Sequence, residues 1–447
     1  MNDTIVAIST ALGEGAISII RVSGVDAIKI VNPLFDGKDL KKVSSHTINY
    51  GHIVYNGEII DEVLLSIMKA PKTYTKEDVI EINTHGSIAV VNKIMEILLL
   101  EGCRMAEPGE FTKRAFLNGR IDLTESEGVM DLINSETELT RKMAINELSG
   151  NVSKLIEDTR EDIISLISNI EVNIDYPEYE DIEVVTINKI KEIVSIIKEK
   201  LLRTLKLSED GKILKDGIKT VILGKPNVGK SSLLNALLEE EKAIVTDVKG
   251  TTRDIVEGSI IVGGVKLNLI DTAGVRKSDD IVEKIGIEKS LNLIDEAELV
   301  LLILDASESL SEEDKYLLEK TKNKKRIIIM NKIDLNLNNS YEEDVIKISA
   351  KNNIGIEEIK EKIKDLFNVG TFMTKNLTFF TNVRQISLLK SAINSLEDVE
   401  YGIKEEREID MIEIDLKLVW EKLGDIIGAN YTEELVDNLF SRFCLGK

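Results

Sequence analysis

The stretch Gly224-Lys225-Pro226-Asn227-Val228-Gly229-Lys230-Ser231 decides the fold of the middle of this chain. It follows the apolar run 218–223, which predicts a buried strand, and precedes a leucine-rich run that predicts a helix. A glycine-rich loop in this context lets main-chain N–H groups surround the phosphates of a nucleotide. Lys230 would reach the β- and γ-phosphates, and the Ser231 hydroxyl would bind Mg²⁺. The sequence therefore predicts a phosphate-binding loop in an α/β domain.

Composition limits the number of domains and the kinds of partner. The chain has 447 residues, of which 43% are hydrophobic, so we expect two or three globular domains. It carries 57 basic and 79 acidic residues, for a formal net charge of −22. This balance argues against binding nucleic acid through a broad positive surface, because phosphate contacts need clustered lysine and arginine. Any contact with RNA is therefore expected to be local or shared with a partner.

The cysteines and the N-terminal residues predict the compartment. Cys103 and Cys444 lie far apart in the sequence, which is no disulfide framework and suits a reducing environment. The first residues lack the basic and apolar segments of a signal peptide, and no apolar run approaches the length that spans a membrane. We therefore expect a cytoplasmic protein that does not use a membrane, with Cys103 in a core.

The pattern of apolar residues predicts a multidomain α+β and α/β protein. Residues 1–118 combine short strands with a helix over 87–100, and Asn56-Gly57 predicts a two-residue hairpin turn. Residues 119–216 and 374–447 have helical periodicity. Between them, residues 217–373 carry the phosphate loop and several continuous apolar runs, as in a parallel sheet covered on both faces. The simplest interpretation is one helical bundle into which a Ras-like nucleotide domain is inserted.

Capping and turn residues add detail to these segments. Thr124 and Thr432 are predicted to cap helices, because a threonine hydroxyl can accept from the N–H groups of the first turn. Gly211 and Gly217 are predicted hinges before the nucleotide domain. Gly263-Gly264 predicts a hairpin, and hence an antiparallel strand at one edge of the nucleotide domain's sheet.

Two motifs that follow predicted strands point to a guanine nucleotide. In Asn331-Lys-Ile-Asp334, an ionised carboxylate can only accept hydrogen bonds. It would accept two from guanine, from N1–H and N2–H₂, whereas adenine presents no such pair. Ser349-Ala350-Lys351 ends the next strand, where the Ala350 N–H is expected to reach guanine O6. A motif like the first, taken alone, can also be a solvated loop, but together with the phosphate loop it predicts GTP.

Two more motifs are expected to contact Mg²⁺ and the γ-phosphate. Asp271-Thr-Ala-Gly274 follows a strand, so its carboxylate can hold Mg²⁺ through water. Gly250-Thr-Thr-Arg-Asp254 supplies Thr252, which we assign with Ser231 as the Mg²⁺ ligands. The complete set of predicted GTP contacts is Asn227, Val228, Gly229, Lys230, Ser231, Ser232, Thr246, Asp247, Val248, Lys249, Gly250, Thr251, Thr252, Asp271, Thr272, Ala273, Gly274, Asn331, Lys332, Asp334, Ser349, Ala350 and Lys351.

The hydrolytic step needs a device other than the glutamine that many GTPases use. The residue after Gly274 is Val275, which offers no hydrogen bond to the attacking water. The Asn227 side-chain carbonyl, with main-chain carbonyls near residues 246–251, is a candidate for holding a monovalent cation beside the phosphates. The other interpretation of Asn227 is a hydrogen bond that stabilises the loop itself.

Four segments together resemble the MnmE (TrmE) family of tRNA-modification GTPases, which act on the wobble uridine. They are Asp3-Thr-Ile-Val-Ala with Ile20-Arg-Val-Ser-Gly24, the run 109–123, the GTPase motifs with 250–254, and the terminal Phe443-Cys-Leu-Gly-Lys447. The resemblance extends over the full length of the chain.

The resemblance implies a homodimer whose N-terminal domain binds 5-formyl- or 5,10-methylene-tetrahydrofolate as the one-carbon source. Arg21, Glu81, Arg120 and Lys447 lie where the family's folate contacts fall. The basic groups suit the carboxylates of the glutamate tail, and Glu81 suits the N–H edge of the pterin. From the sequence alone, the arginines are equally well surface charges, and Glu81 a strand-face acid. His85 is interpreted as part of the pterin pocket or of a turn, not as a general base.

The resemblance also implies a potassium-activated GTPase, with K⁺ in place of an arginine finger. The K⁺ ligands it implies are Asn227, Thr246, Val248 and Thr251. Glu283 would orient the attacking water through a second water, and Cys444 matches the family cysteine needed for modification. Glu283 can otherwise be one charge of a solvated acidic stretch, and Cys444 a small packed residue. Catalytic roles are thus predicted for Lys230, Glu283 and Cys444.

Partners and competing functions complete the expectations. The family works in a heterotetramer with an FAD-dependent MnmG-type protein on a tRNA substrate, so redox chemistry and much of the tRNA contact would belong to that partner. One alternative is a ribosome-assembly GTPase that only switches and binds RNA, but it needs a basic appendage that this acidic chain lacks. Another is a structural scaffold with a vestigial nucleotide domain, against which the intact Lys230, Ser231, Asp271 and Asp334 argue.

Overall fold

The chain forms two compact units. The computed structural model describes residues 3–175, 187–240, 256–270, 293–335, 344–374, 377–443 and 446. The first unit comprises Met1–Met130, Ser153–Val185 and Tyr401–Lys447, and the second Asp131–Val152 and Thr186–Glu400. The predicted combination of an α+β fold, helical segments and an α/β fold is confirmed. The domain boundaries at 118, 216 and 373 stay predictions.

The described residues form fourteen α-helices, introduced here in chain order. They are α1 (Ala27–Val31), α2 (Ile88–Leu100), α3 (Glu110–Leu117), α4 (Leu123–Ile133), α5 (Glu138–Leu148), α6 (Asn151–Asp175), α7 (Ile187–Asp216), α8 (Lys230–Glu240), α9 (Glu312–Lys320), α10 (Ile356–Leu366), α11 (Val369–Thr374), α12 (Val383–Lys404), α13 (Ile409–Ile427) and α14 (Glu433–Phe440).

The first unit is built around a seven-stranded sheet. Its strands are β1 (Ile5–Ile8), β2 (Gly15–Ser23), β3 (Phe35–Asp36), β4 (Thr47–Tyr55), β5 (Glu58–Met68), β6 (Val79–Gly86) and β7 (Arg104–Met105). They lie in the order β3-β4-β5-β6-β2-β1-β7, antiparallel except for β1 and β7. The predicted hairpin is confirmed, since Asn56 and Gly57 have φ of 51° and 82°, as its turn requires.

The two faces of this sheet differ in what covers them. On the inner face, Ile80 and Ile82 of β6 share a core with Ile94 and Leu98 of α2. Side chains along each strand alternate between the two faces of the sheet. The opposite face carries four apolar side chains that are 47–68% exposed: Ile17, Ile48, Tyr50 and Leu64. One face of the sheet therefore makes the core, and the other carries exposed apolar side chains interspersed with Glu81, Asn83 and His85 of β6.

Most residues of the helical stripes predicted from sequence periodicity are buried, although Ile187 at the start of α7 is 40% exposed. Helix α13, for example, buries every residue of its predicted stripe: Ile412, Leu416, Val419, Leu423 and Ile426. The cap at the last helix is also confirmed, because the Thr432 Oγ1 accepts a hydrogen bond from the Leu435 N–H at 3.2 Å. The stripes are predictable because an amphipathic helix buries its apolar face against whichever element it packs on.

The predicted cap at Thr124 is wrong. Helix α4 already begins at Leu123, and the carboxylate of Asp122 accepts from the Glu125 N–H at 2.8 Å and from the Thr124 hydroxyl at 2.7 Å. Thr124 is itself fully buried, with its hydroxyl 3.0 Å from that of Ser153. Asp122 therefore caps the helix, because its ionised oxygen is the stronger acceptor for N-terminal N–H groups.

The second unit contains a six-stranded sheet. Its strands are β8 (Ile218–Leu223), β9 (Val256–Val262), β10 (Val265–Ile270), β11 (Leu299–Asp305), β12 (Arg326–Asn331) and β13 (Val345–Lys347). They lie in the order β13-β12-β11-β8-β10-β9, and only the edge strand β9 is antiparallel. Gly263 and Gly264 have φ of 58° and 78°, so the predicted hairpin and antiparallel edge are confirmed.

One of the two predicted hinges lies inside a helix. Gly211 is a buried residue of α7, and a Cβ atom there would lie 3.0 Å from the Phe379 ring. It therefore permits close packing and does not break the helix. Gly217 does end α7, with φ of 90° and its N–H donating to the Ile213 carbonyl. Among the described helices, none is long and apolar enough to cross a lipid bilayer.

Candidate nucleotide-binding site

The phosphate loop connects the central strand β8 to helix α8, as predicted. Gly224, Asn227 and Gly229 all have left-handed φ values of 149°, 64° and 101°. A Cβ atom at Gly224 would lie 2.4 Å from the Ile303 carbonyl oxygen, and one at Gly229 only 2.2 Å from the Asn331 Nδ2. Both glycines are therefore required by close approach of neighbouring groups as well as by backbone conformation. The loop is a tight cradle above the carboxyl end of the sheet.

Lys230 stands at the first turn of α8 with its ammonium group folded onto the loop. Its Nζ donates to the Gly224 carbonyl at 2.6 Å and to the Lys225 carbonyl at 2.9 Å. Burial lowers the pKa of Lys230 from its ordinary value. The positive charge is thus held by main-chain oxygens beside the N-terminus of a helix, which is the arrangement that attracts phosphate. Ser231, Ser232 and Asn227 are exposed around it.

Asn331 joins the phosphate loop to the base-recognition loops. Its Nδ2 donates to the Val228 carbonyl at 2.8 Å, and its Oδ1 accepts from the Ala350 N–H at 3.0 Å. The side chain is only 3% exposed, so both hydrogen bonds are protected from water. Three segments that the sequence predicts separately therefore meet at one amide. The Ala350 N–H was expected to reach guanine O6, and in the structure it donates to Asn331 instead.

Asp334 is exposed and ready to accept hydrogen bonds. The Ser349 hydroxyl donates to its Oδ1 at 2.7 Å, and this bond lowers the pKa of the Asp334 carboxyl from its ordinary value. Lys351 adds a smaller effect in the same direction. The carboxyl is therefore ionised at neutral pH, as an acceptor for two N–H groups of a base requires.

Asp305, which sequence reasoning missed, supports the same loop. It ends β11, is 5% exposed, and accepts from the Lys332 Nζ at 2.7 Å and the Ser307 N–H at 2.9 Å. Burial by itself raises the pKa of Asp305, but these donors outweigh it and hold the pKa below its ordinary value. The signal was available, because carboxyl ends of neighbouring parallel strands meet at one edge of a sheet. Lys332 has a φ of 67°, so the ion pair holds a backbone turn in place.

The remaining predicted contacts of this site cannot be placed. The predicted residues Thr246, Asp247, Val248, Lys249, Gly250, Thr251, Thr252, Asp271, Thr272, Ala273, Gly274, Glu283, Cys444 and Lys447 lie outside the described residues. The structure thus describes the phosphate loop and the base loop of the site, and the Mg²⁺ and K⁺ assignments stay predictions.

In the first unit, the predicted folate contacts lie near the C-terminal residues of the chain. Arg21 and Glu81 face each other across β2 and β6 and form an ion pair at 2.8 Å. The Arg21 Nη1 also donates to the Gly446 carbonyl at 3.3 Å, as does the Ser9 hydroxyl. A Cβ atom at Gly446 would lie 2.3 Å from the Ile8 carbonyl oxygen, so the backbone fits closely there. The predicted pair is therefore joined to the segment that precedes Lys447.

Tyr74 connects Arg120 to this pair. The Arg21 and Arg120 guanidinium carbons lie 5.7 Å and 4.7 Å from the centre of the Tyr74 ring. The Tyr74 hydroxyl is 2.9 Å from the Thr112 Oγ1, which orients the ring. The structure thus brings Arg21, Glu81 and Arg120 around one aromatic side chain. Sequence reasoning did not single out Tyr74, because nothing in its local pattern marks it.

Two other residues have structural explanations. His85 belongs to strand β6 and not to a turn, and its Nδ1 lies 2.7 Å from the Asp61 Oδ1, which raises the pKa of the exposed imidazole. Cys103 is 7% exposed, and burial raises the pKa of its thiol to about 12. Its predicted place in a core is confirmed, and it is inert as a nucleophile at neutral pH.

The comparisons with known proteins agree across the chain. Residues 4–120 match a family model described as the N-terminus of the GTP-binding protein TrmE, and residues 123–444 match one described as the MnmE helical domain. A "tRNA modification GTPase MnmE" of Streptococcus thermophilus is 53% identical over 450 residues, covering 100% of this chain and 98% of that protein. A protein of the same name from Enterococcus faecalis is 50% identical over 457 residues, with coverage of 100% and 98%. The chain therefore belongs to the MnmE (TrmE) family.

Proposed function

We propose that this chain hydrolyses GTP in the course of modifying the wobble uridine of tRNA. Relatives that match it along their whole length are named tRNA modification GTPases. The observation that carries the nucleotide part is the buried Asn331 amide, which links the phosphate loop at Val228 to the base loop at Ala350, beside the ionised Asp334. This arrangement recognises a guanine base and a polyphosphate together.

We assign tasks in GTP hydrolysis to residues of the predicted nucleotide site. GTP supplies the phosphoanhydride that water cleaves, and the cradle between Gly224 and Gly229 surrounds its phosphates with main-chain N–H groups. Lys230 moves its ammonium group from loop carbonyls to the β- and γ-phosphates, where it offsets negative charge. Ser231, exposed at the start of α8, fits an Mg²⁺ ligand by its hydroxyl, with Thr252 as the second. Glu283 orients the attacking water.

A potassium ion takes the part of an arginine finger in this proposal. Asn227 lies exposed at the tip of the phosphate loop with a φ of 64°, and its carbonyl oxygen suits a hard monovalent cation. Thr246, Val248 and Thr251 would complete the shell with oxygen atoms. A positive charge at this point stabilises the charge that develops on the phosphates during cleavage.

Replacing K⁺ by Na⁺ is expected to slow GTP turnover by about 10-fold or more, because a ring of oxygen ligands selects an ion by its size and coordination number. The rates are compared at equal ionic strength, with Asn227→Ala measured in both salts. The variant is expected to turn over slowly in both. Equal wild-type rates in the two salts, together with no retention of tetrahydrofolate, would favour the ribosome-assembly GTPase.

The modification chemistry is proposed for the first unit. Arg21, Glu81, Arg120 and Lys447 would hold the tetrahydrofolate, and Cys444 would take part in the reaction at the uridine. The ion pair of Arg21 with Glu81 and its contact with Gly446 support this, because they join the predicted pocket to the chain segment that carries the cysteine. An FAD-dependent MnmG-type protein supplies the redox step within a heterotetramer in the cytoplasm.

A homodimer is proposed through the open face of the first sheet. Exposed apolar side chains lie there, namely Ile17, Ile48, Tyr50 and Leu64, and burying them against a second copy removes their surface from water. Light scattering of the purified chain measures the mass that decides this point. A monomeric mass at micromolar concentration would rule the dimer out.

Replacing Cys444 by alanine is expected to abolish the wobble product. The assay combines the chain, its flavoprotein partner, tetrahydrofolate, GTP and unmodified tRNA, and wobble nucleosides are analysed by mass spectrometry. Cys103→Ala is the matched control, because its thiol is buried and its raised pKa keeps it from reacting. Product formed by Cys444→Ala at the level of Cys103→Ala would remove Cys444 from the chemistry. Absence of any product with the wild-type chain would contradict the proposed function.

A further inference from the structure

An open cleft in the first unit has an unusual charge for this chain. It measures about 430 Å³ and includes four residues that carry or can carry positive charge, His46, Lys72, Lys76 and Arg120, with no carboxylate among its lining residues. The chain as a whole has a net charge of −22, so a surface without acids is a marked local exception. Such a surface attracts an anion. The negative charge of the rest of the chain repels anions elsewhere on the surface.

Hydrogen bonds hold Lys76 of the cleft and the loop that carries it in place. The Lys76 Nζ donates to the Gly119 carbonyl at 2.8 Å, which joins the loop that carries Lys72 to the turn that carries Arg120. Asp78 lies at the base of this loop, but its Oδ1 accepts from the Ala70 N–H at 2.8 Å. Asp78 is therefore engaged in holding the loop, and Glu125, which is not a lining residue, interacts electrostatically with Arg120. A preorganised set of cations binds an anion at lower entropic cost than mobile surface lysines.

Arg120 adds a flat surface to this set. Its guanidinium carbon lies 4.7 Å from the Tyr74 ring centre, while the residue remains exposed. One side of the guanidinium plane is thus supported by an aromatic ring, and the arginine presents the rest of its surface to the solvent. Unpaired bases of RNA stack on arginine planes of this kind, while lysines bind the phosphates on either side.

We propose that this basic cleft, formed by His46, Lys72, Tyr74 and Lys76 and bordered by Arg120, which it shares with the predicted folate contacts, binds an unpaired segment of the tRNA substrate. The proposal rests on the proposed function and gives the RNA a place on the chain. Tyr74 lies within 6 Å of both Arg21 and Arg120, so a base next to Arg120 would lie beside the pocket assigned to the one-carbon donor.

Binding of an anticodon stem–loop RNA to the full-length chain tests the cleft. Dissociation constants are measured by fluorescence anisotropy at several salt concentrations for wild type, Lys72→Ala and the double variant Lys72→Ala/Lys76→Ala. The double variant is expected to bind about 10-fold more weakly at low salt, and its slope of log K against log salt is expected to fall by about 1.4, since each phosphate contact in a single strand contributes about 0.7. Lys72→Ala alone is expected to bind about 3-fold more weakly and to lower the slope by about 0.7.

Lys93→Ala is the matched control, because Lys93 is an exposed lysine of α2 that pairs only with Glu96 in the described structure. It is expected to bind the RNA as wild type does. Thermal unfolding checks that the variants are folded, and Lys72→Ala keeps the test valid if loss of the Lys76 hydrogen bond disturbs the loop. Unchanged affinity and salt slope in both cleft variants would overturn the proposal, as would loss of tetrahydrofolate binding with RNA binding intact. If either result is obtained while the wild-type chain still supports wobble modification, the cleft assignment fails and the proposed function stands.

Discussion

Asp334→Asn is expected to change the preferred base from guanine to xanthine. In the proposed function the carboxylate accepts from guanine N1–H and N2–H₂, and an amide would replace one acceptor with a donor that faces the N2 group. Xanthine has a carbonyl at that position, so the amide can donate to it while its oxygen still accepts from N1–H. GTP affinity is expected to fall by about 100-fold or more, and XTP affinity to rise, because a site built around hydrogen bonds rejects a mismatched partner strongly.

The measurement is competition of GTP and XTP for a fluorescent guanine nucleotide on the full chain. Asp344→Asn is the matched control, since Asp344 is an exposed acid of the same unit that pairs with Lys362. Its GTP affinity is expected to equal that of wild type. Parallel loss of GTP and XTP affinity in Asp334→Asn would mean that the substitution damages the loop and that Asp334 does not read the base. The Ser349 hydroxyl donates to the Asp334 carboxylate, and the amide oxygen of asparagine can still accept this hydrogen bond. We therefore expect the substitution to leave the loop folded.

Arg114→Met is expected to cause the largest loss of stability in the first unit. Arg114 is 1% exposed, and its guanidinium group donates to Asp3, Glu77 and Glu110 at 2.8 Å, 3.1 Å and 2.9 Å. Glu110 is itself 3% exposed, so methionine would leave a buried carboxylate with less compensation. Breaking a buried pair by removing one partner costs about 3–5 kcal/mol. Arg104, which also donates to Glu110, keeps the loss from being greater.

Urea unfolding followed by the fluorescence of Trp420 measures this loss. Trp420 is the only tryptophan of the chain, belongs to the first unit, and packs against Arg160 with the guanidinium carbon 4.0 Å from its ring. Arg442→Met is the control, because Arg442 is exposed in the same unit. We expect the midpoint for the control to match wild type. A midpoint for Arg114→Met that also matches wild type would show that the cluster contributes specificity without net stability.

The phosphate loop was predictable, together with the described part of the base loop, because their residues act through local backbone. Gly224 and Gly229 are required by a turn that begins and ends within eight residues, and Lys230 follows at a fixed distance along the helix. The same holds for the base loop, where Asn331 ends a strand whose apolar run is plain in the sequence and Asp334 follows three residues later. Continuous apolar strands and amphipathic helices were also predicted well, since burial alone sets their periodicity.

Other features depend on which residues meet after folding. Asp305 became part of the site only because β11 lies next to β12, so that its carboxylate reaches Lys332. The Ala350 N–H was assigned to the base, but packing places the Asn331 amide against it. The error at Thr124 has a related cause, because Asp122 and Thr124 can each cap a helix, and the folded chain uses the stronger acceptor, Asp122, while it buries the threonine.

The amino-acid pattern alone predicts the phosphate loop, the preference for guanine, the strand and helix periodicities, and membership in a family whose motifs are spread along the chain. Each of these depends on residue type at short, fixed spacing. Only the tertiary structure decided that Arg21, Tyr74 and Arg120 share one aromatic centre, that Arg114 is buried among three acids, and that a cleft free of carboxylates lies in an acidic chain. These features arise from contacts between residues distant in sequence, and the energy of each charge depends on what surrounds it after burial.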